Sequence, residues 1–140
     1  GVLAIFAEAA GGNVAKTTVN ETGVLADKDD VDTLIFDEID TGISGRAADK
    51  VGLQLQNVAN SRQVICVTHL APIAAKGDYN YFIHKDVIEN TTKTRVELLS
   101  EEDTIKEIAR IASGTVTELA LKHAKELRKQ KTCNLWKIMV

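Results

Sequence analysis

Two short, uninterrupted apolar runs constrain the fold of this chain more than any other feature. One is Thr33–Phe36, the other covers residues 64–67, and each is typical of a strand buried on both faces of a parallel sheet. Between them, apolar residues at helical spacing predict a helix that begins at Ser44, its N-cap, and ends near Asn60. Strand, helix and strand in this order predict a βαβ unit with parallel strands. The predicted buried stripe of the helix consists of Ala47, Val51, Leu55 and Val58.

The rest of the chain predicts further elements: a short helix over 71–76 and an antiparallel hairpin of strands over 79–87 and 93–99. Two closing helices follow, and Gly114 ends the first, because glycine accepts the left-handed conformation of a C-cap. Thr115 and Glu118 have capping-box spacing for the second, which ends near Lys129. The predicted inward positions are Ile105, Ile108, Ala109 and Ala112, then Leu119, Ala120, Ala124 and Leu127.

Composition fits one soluble globular domain without a membrane span, since 44% of the 140 residues are apolar and charge breaks every apolar stretch. A net charge of −3 argues against a surface-wide nucleic-acid footprint. Cys66 and Cys133 have no spacing for a metal or disulfide framework. We therefore expect a cytoplasmic protein, with residues 1–23 unassigned and residues 131–140 forming a tail.

The chemistry is concentrated where the two predicted strands end. Asp37 and Glu38 follow the first strand, at the edge where open α/β sheets bind ligands. One carboxylate there can hold a hydrated Mg²⁺ and the next can orient or deprotonate an attacking water, which is the Walker B arrangement. The alternative is a strand that merely ends in solvated acids, and the motif alone favours neither interpretation.

His69 follows the second strand, so the βαβ connection is expected to bring it to the same edge as Asp37 and Glu38. A neutral imidazole there can bond a γ-phosphate oxygen or the catalytic base. A histidine that only caps the following helix is the alternative. Its position one βαβ unit after an Asp-Glu pair favours the functional interpretation.

A loop with two glycines, residues 40–46, joins the Asp-Glu pair to the predicted helix. Taken as structure, it is a strand-to-helix connection with a good cap. Together with residues 34–39 and 63–70, however, it resembles the RecN family of SMC-like ABC ATPases, and the closing helices resemble that family too. The resemblance covers residues 24–129 and identifies the loop as a D-loop, which crosses to a partner head.

The resemblance implies an α/β fold, part of a P-loop NTPase head, with residues 24–130 as its C-terminal part. It implies ATP and Mg²⁺ as cofactors, and a second head, the N-terminal half of the same head and DNA as partners. It also implies double-strand-break repair in the cytoplasm, at the nucleoid. The residues carried over are Glu38 and His69 as catalytic, Asp37 as a Mg²⁺ ligand through water, and Asp40, Gly42, Ser44 and Gly45 as cofactor-binding.

Three departures from the family bear on activity. No Gly-x-x-x-x-Gly-Lys-Ser/Thr phosphate loop occurs in the sequence, and no signature motif is recognisable in residues 1–23. Pro72 stands where the family has glutamine. We therefore expect the chain alone to be inactive as an ATPase. A missing phosphate-loop strand is also expected to leave an edge unpaired beside the His69 strand, which favours self-association or local rearrangement.

Alternative interpretations remain open at this point. One is a dimerisation module that is inactive by itself. Another is a head fragment of a different SMC-like, Rad50-like or MutS-related ATPase, and the last is an α/β domain that binds no nucleotide. Basic residues near the C-terminus are interpreted as a solvated helix face rather than a DNA patch, because no aromatic residues lie between them. They are Lys122, Lys125, Arg128, Lys129 and Lys131.

Overall fold

The computed structural model describes residues 2–6, 14–17, 19–20, 23–24, 33–37, 43, 45–60 and 62–130, the first four ranges as backbone only. In these residues the chain is an α/β protein. Its strands are β1 (Val2–Phe6), β2 (Val14–Thr17), β3 (Val19–Asn20), β4 (Gly23–Val24), β5 (Thr33–Phe36), β6 (Gln63–Thr68), β7 (Tyr79–Ile88) and β8 (Thr91–Leu98). Its helices are α1 (Gly45–Val58), α2 (Ala71–Ala74), α3 (Glu101–Ser113) and α4 (Glu118–Lys129).

Six of the described strands form one sheet in the order β2-β5-β6-β1-β7-β8, and β3 pairs with β4. β5 is parallel to both β2 and β6, with Phe36 opposite Cys66. The predicted βαβ unit of β5, α1 and β6 is therefore confirmed. At its amino end, the Thr33 hydroxyl donates to Gln63 Oε1 at 3.1 Å, which ties the two strand starts together.

The expected unpaired edge beside the His69 strand is not found. β1 lies between β6 and β7 and is antiparallel to both, with Val2 opposite Thr68 and Phe82. Because an inserted strand satisfies the backbone groups of both neighbours, β6 is paired along each side. The outer strands of the sheet are β2 and β8 instead.

The main core lies between α1 and one face of β5 and β6. Its strand residues include Leu34, Phe36 and Cys66, all almost fully buried. β6 alternates, because Ile65 and Val67 are only half-buried. The prediction that this strand is buried on both faces is therefore wrong for the second face, whose side chains are only half-buried. On α1, the buried positions are Ala48, Val51, Gly52 and Leu55. The predicted stripe is therefore wrong at Ala47, which is half-buried, whereas half-buried Val58 packs against this core as predicted.

The predicted hairpin is confirmed, with a tighter turn than expected. Only Glu89 and Asn90 separate β7 from β8, and both have positive φ angles, 48° and 61°. Two successive left-handed residues are the geometry of a type I′ turn, whose twist matches that of the strands. The register then runs without a bulge from Ile88 opposite Thr91 to Tyr81 opposite Leu98.

α3 begins and ends as its sequence dictates. The Ser100 hydroxyl accepts from the Asp103 N–H, and Gly114 at φ 75° is the C-cap. Exposed charges cover the outer side of α3. Lys106 is hydrogen-bonded to Glu102, which raises the pKa of the lysine. Arg110 is hydrogen-bonded to Glu107, which raises the pKa of the arginine. The inward prediction is wrong at Ala112, which is exposed.

α4 differs more from prediction. Its N-cap is Thr117, which accepts from the Ala120 N–H at 3.2 Å, rather than Thr115. Leu119 is 77% exposed and does not face the core. Arg128 is buried instead, at 8% exposure, so its assignment to a solvated basic face is wrong. The third buried position of α4 is therefore filled by a charged residue.

Arg128 joins three elements. Its guanidinium donates to both carboxylate oxygens of Glu101 at the start of α3, at 2.9 and 3.0 Å. It also donates to the backbone carbonyls of Ala75 and Gly77, at 2.9 and 2.5 Å, just after α2. Because the guanidinium carries several donors in a fixed plane, one buried side chain satisfies two carbonyls and a carboxylate.

The helices lie on one face of the sheet. α1 packs directly on β5 and β6, α2 packs beside α1, and α3 and α4 pack against α2. Asn80 of β7 lies on that face, since its side chain donates to the Ala74 carbonyl of α2 at 2.8 Å. The register of β1 places Cys66 and Asn80 on the same side. The opposite face carries apolar side chains that are half-buried or exposed, which are Ile35, Ile65, Val67, Tyr79, Tyr81, Ile83, Val96 and Leu98. We call this the open face.

Candidate functional site

The carboxyl ends of β5 and β6 bring two predicted site residues to one edge of the sheet. Asp37 directly follows β5 and His69 directly follows β6. Since these strands are adjacent and parallel, with Phe36 opposite Cys66, both residues emerge on the same edge. Both are exposed. The edge is therefore open to a ligand from solvent or from another chain.

The backbone around His69 is fixed by residues on both sides. Thr68 is fully buried, and its hydroxyl accepts from the Leu70 N–H at 3.0 Å. The Leu70 carbonyl then accepts from the N–H groups of Ile73 and Ala74 in α2, for which Leu70 is the N-cap. His69 thus sits in a turn closed by a side chain that the sequence analysis did not single out. Thr-x-Leu after an apolar strand was the available signal, because Thr commonly forms such local turns.

Pro72 fits this turn without cost. It occupies the first turn of α2, where a backbone N–H has no partner inside the helix in any case. Its departure from the family's glutamine is therefore compatible with the helix that follows His69.

Asp37 is positioned by the strand before it. Leu34 and Phe36 are buried against α1, which fixes the height at which β5 reaches the edge. Among the described residues, no group of three or more His, Cys, Asp or Glu side chains is placed to hold a metal ion. An exposed carboxylate at this edge suits Mg²⁺, which retains waters and is often held by one or two carboxylates plus phosphate oxygens.

Of the other predicted site residues, the structure describes only Gly45. Glu38, Asp40, Gly42 and Ser44 lie outside the described residues. Gly45 is the first residue of α1, exposed, and a Cβ added there meets no described atom within 4 Å. Gly45 is therefore open to solvent at the start of the helix that follows the predicted D-loop.

A buried lysine connects α1, the helix after β5, with α2, the helix after β6. Lys76, 3% exposed, reaches from the end of α2 to Asp49 of α1, with Nζ 2.5 Å from Oδ1. The Pro72 carbonyl accepts from the same ammonium at 3.4 Å. Gly52 makes room, because a Cβ there would lie 2.7 Å from Lys76 Cδ. The sequence does not predict this contact, since nothing in a helical pattern indicates that one lysine points inward.

Comparison with curated proteins gives consistent relatives over most of the chain. DNA repair protein RecN of Bacillus subtilis (strain 168) is 39% identical over 123 residues, 87% of this chain and 21% of that protein. RecN of Deinococcus radiodurans is 42% identical over 119 residues, 85% of this chain and 21% of its own length. This chain is a relative of RecN.

The resemblance seen in the sequence is thereby confirmed, and it extends to RecN of Vibrio cholerae, 40% identical over 120 residues. The chain spans about a fifth of the length of these RecN relatives. No protein-family model matches it. In the part of the chain that the structure describes, no helix is long and apolar enough to cross a membrane.

Proposed function

We propose that this chain is the C-terminal part of the ATPase head of a RecN-like DNA repair protein. The observation that carries the proposal is the shared sheet edge of Asp37 and His69, in a chain related to RecN. ATP, Mg²⁺, a second head and DNA belong to the proposal for the longer protein. The D-loop residues Asp40, Gly42, Ser44 and Gly45 would contact that second head.

Each residue at the edge then has a separate task. Asp37 would hold Mg²⁺ through water, and the metal would neutralise charge on the phosphates when bound. Glu38, next in sequence, would accept the proton of the attacking water. His69, held by Thr68 and the start of α2, would donate a hydrogen bond to a γ-phosphate oxygen or to the carboxylate of the base, and so report whether nucleotide is present.

The open face supports the need for a further half of the head. Helices cover one side of the sheet, and apolar residues such as Ile65, Val67 and Tyr81 lie on the other. Sheets with parallel strands usually have both faces covered. We infer that the N-terminal half of the head packs on this face and brings the phosphate loop that this sequence lacks.

Calorimetry of ATP–Mg²⁺ binding tests the proposal, on the chain alone and on the chain mixed with the N-terminal head portion of a RecN. We expect binding and hydrolysis only in the mixture. Glu38→Gln should keep binding and lower hydrolysis about 100-fold or more, because a positioned base contributes on that order. Glu89→Gln, in the exposed hairpin turn, is the matched control and should leave the rate unchanged.

Two outcomes would contradict the proposal. Tight binding by the chain alone would place a phosphate site within this sequence. Hydrolysis by the mixture that survives Glu38→Gln and His69→Ala would assign the reaction to other residues. A mixture that binds but never hydrolyses would favour the dimerisation module instead.

A further inference from the structure

The outer edge of β8 is twice as long as that of β2, the other outer strand among the described residues, with eight residues against four. All eight residues from Thr91 to Leu98 are exposed, and no described strand pairs with the side of β8 away from β7. The strand contains no proline, and its register has no bulge. Proline and bulges are two of the devices by which proteins block edge-to-edge pairing. Charge is another, and β8 does carry it, at Lys93, Arg95 and Glu97. The backbone of this edge therefore remains competent to bind another strand, provided that the strand matches these charges.

The hydrogen-bond phase of the hairpin fixes which residues of β8 point outward. In a two-residue type I′ hairpin, the pair next to the turn is hydrogen-bonded and the pairs then alternate. The Leu99 N–H donates to the Asn80 carbonyl at 2.8 Å, which agrees with odd-numbered residues facing β7. The outward backbone groups therefore belong to the even-numbered residues, Thr92, Thr94, Val96 and Leu98.

This phase restricts how two copies of β8 pair antiparallel. Hydrogen-bonded pairs across the new seam must join even-numbered residues, and the odd-numbered residues form the closer, non-hydrogen-bonded pairs. Charges on β8 sit only at odd positions, Lys93, Arg95 and Glu97. Their cross-strand partners consequently decide between registers, because directly opposite like charges destabilise a sheet and opposite charges stabilise it.

One central register satisfies all of these conditions. With Val96 opposite Val96, Arg95 lies opposite Glu97 of the other copy, twice by symmetry, and Thr94 lies opposite Leu98. A shift by two toward the turn sets Arg95 against Arg95 on the axis between two Lys93–Glu97 pairs, so it adds a repulsive contact to the same number of attractive ones. The opposite shift sets Glu97 against Glu97. Larger shifts toward the turn set Lys93 against Arg95 or against itself.

Local surroundings agree with this register. Arg95 is half-exposed and bonds Asp86 through Nε at 2.8 Å, and a guanidinium has further donors for a second carboxylate. Glu97 is 59% exposed. On the open face, Val96 and Leu98 are 53% and 59% exposed, so pairing would also join two apolar strips into one continuous surface.

We propose that β8 is a homotypic docking edge, which pairs antiparallel with β8 of a second copy of this chain, Val96 opposite Val96 on the twofold axis. The partner is a second copy because only a strand with the same charge order gives two reciprocal Arg95–Glu97 pairs. This interface is separate from the proposed nucleotide-dependent contact between heads and requires no nucleotide.

Sedimentation equilibrium of the whole chain in reducing buffer, across a concentration series, tests the proposal. We expect a monomer–dimer equilibrium. Val96→Pro should abolish it, because the lost N–H points away from β7 and is used only in the dimer. Val96→Thr keeps the N–H and the branched side chain and is the matched control, which should dimerise within about threefold of the parent.

The register is tested by charge exchange. Glu97→Arg and Arg95→Glu should each weaken dimerisation at least about tenfold, since two attractive pairs become repulsive. An equimolar mixture of the two variants should form heterodimers, because every pair across the seam is then of opposite charge. Circular dichroism of each variant establishes that the hairpin is intact.

The result that overturns the proposal is a chain that stays monomeric at the highest soluble concentration. Dimerisation that ignores Val96→Pro, or a variant mixture that fails to associate while both variants are folded, would equally overturn it. Because none of these measurements involves ATP, their failure leaves the ATPase proposal untouched.

Discussion

Two arginines in this chain each pair with a carboxylate, in opposite surroundings. Arg128 is buried between α4, α3 and the end of α2, and its donors reach Glu101 and two backbone carbonyls. Arg95 lies on β8, 54% exposed, and its contact is with Asp86 across the hairpin. Both contacts are 2.8–2.9 Å long, so distance alone does not separate them.

Burial and the number of partners do separate them. Around Arg128, water has little access, and removing the guanidinium leaves carbonyls without the donor they have in the fold. Around Arg95, water replaces a lost partner, and the pair contributes little to stability. The same chemical pair therefore organises the helices in one region and leaves the hairpin edge available for association in the other.

The largest expected effect is that of Arg128→Met. We expect the free energy of unfolding to fall by about 3 kcal/mol, because the carbonyls of Ala75 and Gly77 lose a charged donor in a buried site. Urea denaturation measures the change. Lys129→Met, on the neighbouring exposed residue, is the matched control and should change stability by about 0.5 kcal/mol or less. Equal effects would contradict the comparison.

An intermediate effect is expected at the contact between α1 and α2. Glycine to alanine in a helix normally stabilises by about 0.5–1 kcal/mol. Gly52→Ala should instead destabilise by about 1 kcal/mol, because the new Cβ displaces Lys76 from Asp49. In a Lys76→Ala background, Gly52→Ala should instead increase the free energy of unfolding, because no lysine side chain is then displaced.

Thermal unfolding of the parent chain, Gly52→Ala, Lys76→Ala and the double variant gives a double-mutant cycle for the contact between Gly52 and Lys76. Gly45→Ala serves as the control, since it has no described neighbour within 4 Å. A destabilising Gly52→Ala that persists without Lys76 would show that another contact fills the space.

The smallest effect is expected for Arg95→Gln, measured at concentrations where the chain is monomeric. Loss of the exposed pair with Asp86 should cost about 0.5 kcal/mol, and less at high salt. A loss comparable to that of Arg128→Met would mean that the hairpin, too, depends on its charged pair.

The pattern of the sequence predicted local structure well where local physics decides it. The βαβ unit follows from two apolar runs, the turn near Glu89 and Asn90 from the break between two strand patterns, and the end of α3 from Gly114. It also brought Asp37 and His69 to one edge through a rule of topology rather than any contact. Their chemical roles stay predictions.

The predictions were wrong where elements distant in sequence determine whether a side chain faces the core or the solvent. Thr115 and Thr117 both precede α4, and only the path of the chain after α3 selects Thr117 as the cap. Leu119 and Arg128 exchange their expected environments, because α4 packs against α2 and α3 through its alanines. Lys76 is buried for a similar reason, since Gly52 and Asp49 lie 24 and 27 positions earlier in the printed sequence.

The sequence by itself thus determined the elements from β5 onward, the parallel order of β5 and β6, and the relation to RecN, because these depend on residue type and spacing along the chain. Tertiary structure alone decided which charges are buried, that β1 separates β6 from β7, and that the sheet has an open face and an outer strand β8. Those features depend on pairing between distant segments, where packing and the satisfaction of backbone hydrogen bonds outweigh local preference.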